Sequence, residues 1–367
     1  MNPIYQKYAD LLVNYCMEIK PDDKLYISTT TLAEPLVREV YRLSLRAGAT
    51  VEVDLDFREK SKIFYEEAHL DSQLNHVPMQ YAKAMAEFDA YLFIKAPFNT
   101  RESKPGDLQK VEKQKAVLSP FSKKYFERAA TRSLKRNFCL FPTLASAQEA
   151  AMSMEDYEHF VFNACKLFEP DPIAAWLNVR KEQQGIVDVL NAAQQVRYIG
   201  PKTDISFRTD GRKWINSDGQ TNMPSGEVYT SPVEDSVNGV VHFDYPCLYQ
   251  GNEVQDVTLY VKDGYIEKWE AASGKDYLDY IFSLEGTRRF GEAAIGTNYG
   301  IDRMTKNILF DEKIGGTIHM AIGQSYPQCG GKNESVVHWD MISDMTKGGQ
   351  IIANDQLIYE NGKFLIS

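Results

Sequence analysis

The sequence predicts an α/β N-terminal domain with an open, mostly parallel sheet, followed by an α+β C-terminal domain whose strands are mostly antiparallel. Three observations carry this expectation. Over the first 150 residues or so, short apolar runs alternate with helical stretches, which is how βαβ units read. After Ala193 the character changes to short strands with the tight-turn pairs Asp210-Gly211, Asp218-Gly219, Asp263-Gly264 and Asn361-Gly362, each a hairpin signal. Between the two regimes lie two helical stretches, 155–168 and 173–190, joined through Pro170 and Pro172. We read this segment as a hinge and expect domains at 1–165 and 166–367.

Taken in order, residues 5–17 read as a helix with Tyr8, Leu11, Leu12 and Tyr15 on one face, broken by Pro21-Asp22-Asp23. Residues 24–28 form a short apolar strand. Thr31 and Glu34 have capping-box spacing, so a helix should follow to Arg46, with Gly48 at its C-terminal end. A strand at 50–55 completes the first βαβ unit. Helix 79–88 and strand 90–94, then helix 122–134 and strand 137–141, repeat the pattern. No G-x-G-x-x-G follows the first strand and no Walker A loop occurs, so no nucleotide site is expected. Lys104, Lys110, Lys113 and Lys115 alternate with acids and read as a solvated face. In the C-terminal half, strands 257–261 and 265–269 flank Asp263-Gly264, and a helix spans about 276–290, ended by Gly291.

Bulk properties exclude some functions. With 367 residues, 43% of them apolar, the chain can bury a sizeable core. A net charge of −10 argues against nucleic acid or an anionic membrane as main partner. No apolar stretch approaches the ~20 residues of a membrane helix. The N-terminus lacks a basic start followed by an apolar run, so no signal peptide is expected. Five scattered cysteines without a C-x-x-C pair fit reduced thiols and a cytoplasmic location.

The stretch richest in chemistry runs from Gly315 to Asp340. Over 316–322, strand alternation puts Ile318, Met320 and Ile322 on one face and Thr317, His319 and Ala321 on the other. Over 335–342 the same period places His338 and Asp340 together, with Val336 and Ile342. Gly323, Pro327, Gly330 and Gly331 mark a turn between them, and that turn carries Tyr326. Imidazole and carboxylate brought together this way are the ligands of a divalent metal site. Taken alone, His319 also fits a hydrogen-bonded core histidine, and Tyr326 fits packing. Two more carboxylates qualify. Glu227 opens a β-prone run after Pro224-Ser225-Gly226, where it is a ligand or an exposed loop residue. Glu292 enters the apolar run 293–295, which is costly unless a metal or an ion pair with Arg288 or Arg289 compensates. His242 reads as structural, and His69, His76 and His159 receive no role.

These segments together resemble the thermophilic-aminopeptidase family of metallopeptidases, the aminopeptidase T and S type. The matching pieces are NMPSGEVYTSP, RRFGEAAIG, LFDEKIGGTIHMAIGQSYP and GGKNESVVHWDMI, in the family's order. The opening YADLLVNY, KPDDKLYI and AEPLVREVYRLSLRAGA is similar as well. The resemblance implies two divalent metal ions (Zn, Co, Mn or Mg) held by Glu227, Glu292, His319, His338 and Asp340, with Tyr326 at the site. It also implies a homodimer with enclosed cavities that hydrolyses N-terminal residues from short peptides with a free N-terminus. Two departures stand out: Gly226 replaces the first of two frequent glutamates, and the segment between Tyr326 and Gly330 is short.

On this reading a water activated by two metals attacks the scissile carbonyl, with Tyr326 donating to the oxyanion or binding a metal. Glu292 and Glu334 are the candidate general bases. Two other readings compete. His319, His338 and Asp340 alone would make the triad of a mononuclear iron ring-cleaving dioxygenase, some of which resemble this fold. A non-catalytic peptide-binding protein is the third.

Overall fold

The computed structural model describes residues 3–100 and 108–366. Lys104 of the basic cluster lies outside the described residues. The chain divides into two compact units, Met1–Ile173 with Gly219–Pro224, and Ala174–Asp218 with Ser225–Ser367.

The first unit is built on a parallel sheet. Its strands are β1 (Lys24–Thr30), β2 (Thr50–Asp56), β3 (Ala90–Lys95) and β4 (Lys135–Leu140), with the short strand Asn222–Met223 beside β4. They lie in the order β2-β1-β3-β4 and then Asn222–Met223, every pair parallel. Leu25, Ile27, Leu92 and Ile94 are fully buried, as parallel strands covered on both faces require. The expected elements are present with shifted ends. The first helix is Pro3–Asp10 and continues as a π-helical turn, Leu11–Cys16. The cap of the next helix falls one residue early: Thr30, not Thr31, accepts from the Leu32 N–H at 3.3 Å, and Thr31–Ala33 forms a 3-10 turn before Glu34–Arg46. Gly48 ends that helix at φ +90°, where a side chain would be strained. The helix expected at 122–134 is longer and earlier, Leu108–Ala130, and tolerates Pro120 inside it. Lys110 and Lys113 of that helix tie to the Tyr65 carbonyl at 2.8 Å and to Asp71 at 2.5 Å, so they bind their own unit.

The second unit holds two main antiparallel sheets. One has eight strands, and in it the Asp263-Gly264 and Asn361-Gly362 hairpins form as expected. Both residues of each pair have positive φ (46° and 76°; 49° and 84°), the geometry these turns demand. Asp210-Gly211 and Asp218-Gly219 are not hairpins, because the strands on either side of each do not pair with one another. The other sheet carries five strands: β5 (Ile215–Ser217), β6 (Glu227–Thr230), β7 (Phe290–Gly296), β8 (Thr317–Gly323) and β9 (His338–Asp344). They pair antiparallel in the order β9-β8-β7-β6-β5. One face of this sheet presents Phe290, Ala293, Ile295, Ile318, Met320, Ile322, Trp339 and Met341 to a hydrophobic core shared with Tyr198, Phe207, Val241 and Leu259 of the eight-stranded sheet. The alternation read over 316–322 is therefore correct. Val336 is 87% exposed, and β9 starts only at His338.

The helix expected at 276–290 stops at Phe282. The chain turns at Gly286 (φ +74°), and Phe290 and Gly291 already belong to β7. Gly291 does not end a helix. It is the extra residue of a β-bulge, since Phe290 pairs with Ile322 while Glu292 pairs with the next residue back, Ala321. A flat pleat would put Phe290 and Glu292 on the same face. The bulge separates them: Phe290 enters the core and Glu292 turns to the opposite face. A Cβ at Gly291 would collide with the Gln324 carbonyl oxygen. Gly291→Ala should therefore destabilise the chain by about 2 kcal/mol in urea unfolding and weaken divalent-metal binding. Wild-type stability with unchanged metal affinity would refute the bulge's role.

Candidate metal centre

The face of the five-stranded sheet away from the core collects the chemistry. Across the strands, Tyr229, Ala294, His319 and Ile342 form one row, and Glu292, Ala321 and Asp340 form the next. Glu227 pairs with Gly296, and His338 with Gly323. The neighbours between the polar residues are thus Ala and Gly, whose small size leaves room above the sheet for a ligand.

Distances define two clusters that share one carboxylate. His319 Nε2 lies 3.4 Å from Glu227 Oε2 and 3.6 Å from Glu292 Oε1. His338 Nε2 lies 3.1 Å from Glu292 Oε2 and 3.5 Å from Asp340 Oδ1. Glu292 faces one imidazole with each oxygen. Two ligands of one ion, each about 2.0–2.2 Å from it, stand roughly 3.0–3.6 Å apart. The spacing, the N/O donor set and the buried Asp340 Oδ1, which has no hydrogen-bond partner among the described residues, fit divalent metal. Glu227, Glu292 and His319 are each less than a tenth exposed, where unpaired charges are costly.

Neighbouring groups hold this arrangement. His338 Nδ1–H donates to the Gln324 carbonyl at 2.8 Å, which leaves Nε2 free to accept a metal. Among the described residues no acceptor meets His319 Nδ1. The Tyr326 hydroxyl stands 3.3 Å from His338 Nε2, and its ring packs on Tyr229 and His338. Ser231 donates to the Gly291 carbonyl at 2.7 Å and accepts from the Tyr326 N–H at 3.1 Å, tying the bulge to the tyrosine turn. That turn is closed by the 3-10 segment Pro327–Cys329 and by Gly330. Gln183, from helix Pro172–Ala192, is buried and donates to the Glu227 carbonyl at 3.3 Å and the Ser217 carbonyl at 3.0 Å. Gly226 has φ +112°, and a Cβ there would lie 2.7 Å from Asn298 Cβ. The loss of a glutamate at 226 thus matches a backbone that here favours glycine.

The structure decides between the readings that the residues alone left open. Glu227 is buried, not an exposed loop residue. Glu292 makes no ion pair with Arg288 or Arg289, which instead donate to the Ile266 and Glu234 carbonyls. His319 and His338 fall in different clusters, with Asp340 beside His338 only. A single iron held by all three does not fit this grouping. Glu334 is exposed and belongs to neither cluster. His242 is buried, bonded to Thr258 Oγ1 at 2.9 Å, and lies outside both clusters.

Two groups escaped sequence reading. Lys313 is fully buried, with Nζ 3.5 Å from Glu227 Oε1 and in contact with Glu312. The signal was present in Asp311-Glu312-Lys313, three charges just ahead of a buried strand, but nothing local says which way they point. Burial pushes the Glu312 carboxyl up to about 8, against the pull of Lys313. Burial lowers the Lys313 ammonium, but Glu227 and Glu312 outweigh it and the net shift is upward. Burial likewise lowers both imidazoles. Glu292 and Glu227 nonetheless carry His319 up to about 9, and Asp340 and Glu292 carry His338 up to about 12. Asp340 is raised by burial but lowered more by His338, to about 2. Burial, then Glu292 and Asp340, hold the Tyr326 phenol well above its usual range.

Comparison with known proteins identifies the family and the fold. The model of the thermophilic metalloprotease (M29) family matches residues 2–364. The chain is 28% identical to Aminopeptidase 2 of Geobacillus stearothermophilus, over 92% of this chain and 90% of that protein. It is 27% identical to Aminopeptidase PepS of Streptococcus thermophilus, over 92% and 91%. The solved structure of wild-type AmpT from Thermus thermophilus superposes with a TM-score of 0.83 and 20% identity, covering 99% of each chain, which shows a shared fold.

The imidazole shifts set a sign for pH dependence. Both folded values exceed the ordinary 6.5, so the stability they contribute is complete below about 6.5. It is lost as pH rises through about 9 for His319 and about 12 for His338. Glu312, raised from 4.5 to about 8, acts in the same direction. Asp340 contributes above 3.8 and loses its part only as pH falls through about 2. The chelator-stripped chain should therefore melt at falling temperature as pH climbs from about 6.5 to 9, and metal affinity should rise over the same range as bound protons are released. A flat or rising melting profile of the stripped chain would contradict this electrostatic picture.

Proposed function

As the chain belongs to the thermophilic metalloprotease (M29) family, we propose that it is a metal-dependent aminopeptidase, a hydrolase that releases N-terminal residues from short peptides. The observation that carries the reading is Glu292, whose two oxygens each face a different imidazole inside a buried N/O ligand set. Glu227, Glu292 and His319 would hold one divalent ion, and Glu292, His338 and Asp340 would hold a second. Zinc, cobalt, manganese and magnesium all suit such a set, and availability selects among them. When bound, the ions polarise the scissile carbonyl and make a water nucleophilic near neutral pH.

The chain's own groups supply the rest. Tyr326, kept neutral by its surroundings, donates its O–H to the oxygen of the tetrahedral intermediate. Glu292 reaches both imidazoles, at 3.6 Å and 3.1 Å, and we assign it the proton transfer from water to the departing amine. Water adds to the carbonyl carbon, the C–N bond breaks, and the amine leaves with that proton. The substrate's free α-amine is the natural partner of this acidic centre, which explains action at N-termini. Five buried cysteines, all with free thiols, accord with a cytoplasmic location. Among the described residues no helix is long and apolar enough to cross a membrane. A homodimer completes the proposal.

Loaded with Zn²⁺ or Co²⁺, the chain should hydrolyse leucine p-nitroanilide and spare its N-acetylated form. Glu292→Gln and His338→Ala should each lower kcat/KM by about a thousandfold or more while circular dichroism stays native. Equal turnover of the blocked substrate, or near-wild-type activity in either variant, would defeat the assignment. Sedimentation analysis checks the dimer.

A further inference from the structure

Lys313 is a permanent cation inside a site meant for cations. Its side chain has no exposed surface, so no solvent competes for the ammonium. It takes Oε1 of Glu227 at 3.5 Å, while Oε2 of the same carboxylate faces His319 at 3.4 Å. Glu227 is thereby limited to one oxygen for a metal, and that oxygen is depleted of charge by the ammonium on its twin. The other end feels this ammonium only at longer range, through Asp340. Among the described residues no lysine or arginine stands within ion-pair distance of Glu292 or Asp340. The imidazole there is also better prepared, because the Gln324 carbonyl holds His338 Nδ1–H, whereas among the described residues no acceptor holds His319 Nδ1.

We propose that Lys313 is a positioning residue that makes the Glu227–His319 end the weaker, more exchangeable member of the ion pair. The inference rests on the two-ion reading above and adds an order to it: the Glu292–His338–Asp340 end fills first, and Lys313 sets how readily the second divalent ion enters and leaves. Glu312 tunes the effect from the far side. Its carboxylate shares the ammonium with Glu227, so it draws off part of the charge that opposes the second ion.

The test uses the full chain, stripped by chelator and titrated with Co²⁺ by calorimetry and visible absorption at one mildly alkaline pH. Wild type should show two unequal steps. Lys313→Met should tighten the second step by about tenfold or more, leaving the first within about twofold. Glu312→Gln should do the opposite and weaken the second step several-fold, because the ammonium then bears on Glu227 alone. The double variant Glu312→Gln/Lys313→Met removes both charges with little change of shape. It should also tighten the second step, and it decides the matter should Lys313→Met fail to fold. A purely structural role predicts weakening in every variant. Two steps in wild type with the second weakened or unchanged by removing Lys313 overturns this inference and leaves the two-ion reading intact. A single step in wild type overturns both.

Discussion

Three carboxylates and two imidazoles gather on one face of an antiparallel sheet, and that gathering is the constraint to which the surrounding structure answers. Glu227, Glu292 and Asp340 would repel one another in a space where water is scarce, and the cost of each uncompensated charge runs to several kcal/mol. Cations must therefore be present. In the metal-free chain they are the imidazolium groups, lifted by the acids around them, and the ammonium of Lys313. On the proposed reading, divalent metal would take over the role of the imidazolium protons.

The sheet makes this possible by keeping its two faces separate. Ile318, Met320, Ile322, Trp339 and Met341 supply the core, while the intervening residues supply the chemistry. The site therefore stands on a rigid floor instead of on loops, which suits a centre whose ligands must hold their spacing to fractions of an ångström. Ala321 lies between Glu292 and Asp340 in its cross-strand row, and Ala294, Gly296 and Gly323 pair with His319, Glu227 and His338. A larger side chain at any of them would occupy the space above the sheet. Ser231 and Gln183 extend the support outward, the first by linking the Gly291 bulge to the Tyr326 turn, the second by fixing the backbone of Glu227.

Membership of a metalloprotease family and the geometry of the centre point the same way. The family match supplies the class of reaction, and the two clusters that share Glu292 are a donor set able to hold divalent metal. The separation of His319 from His338 also explains why a one-iron reading built on the same three residues fails. The strand register gives each histidine its own carboxylate neighbour, so one ion does not gather both.

Periodicity in the chain was enough to establish the class of fold, the parallel sheet of the first unit, the faces of β8 and the pairing of His338 with Asp340. Those features depend on neighbours two or four residues apart, and such relations survive in one dimension. The five candidate positions were legible from their residue types and from the resemblance their segments carry, and the fold brings them together on one face. Other features were not legible. The end of the helix at Phe282, the bulge at Gly291 and the cap at Thr30 depend on where hydrogen bonds to distant strands fall. Gly291 looked like a helix terminator because glycine serves both purposes, and only the carbonyl of Gln324 beside it distinguishes them. Lys313 was invisible as part of the site for the same reason. Charge and burial are local properties only after folding has chosen a residue's neighbours, and its neighbour Glu227 lies 86 positions away in the sequence.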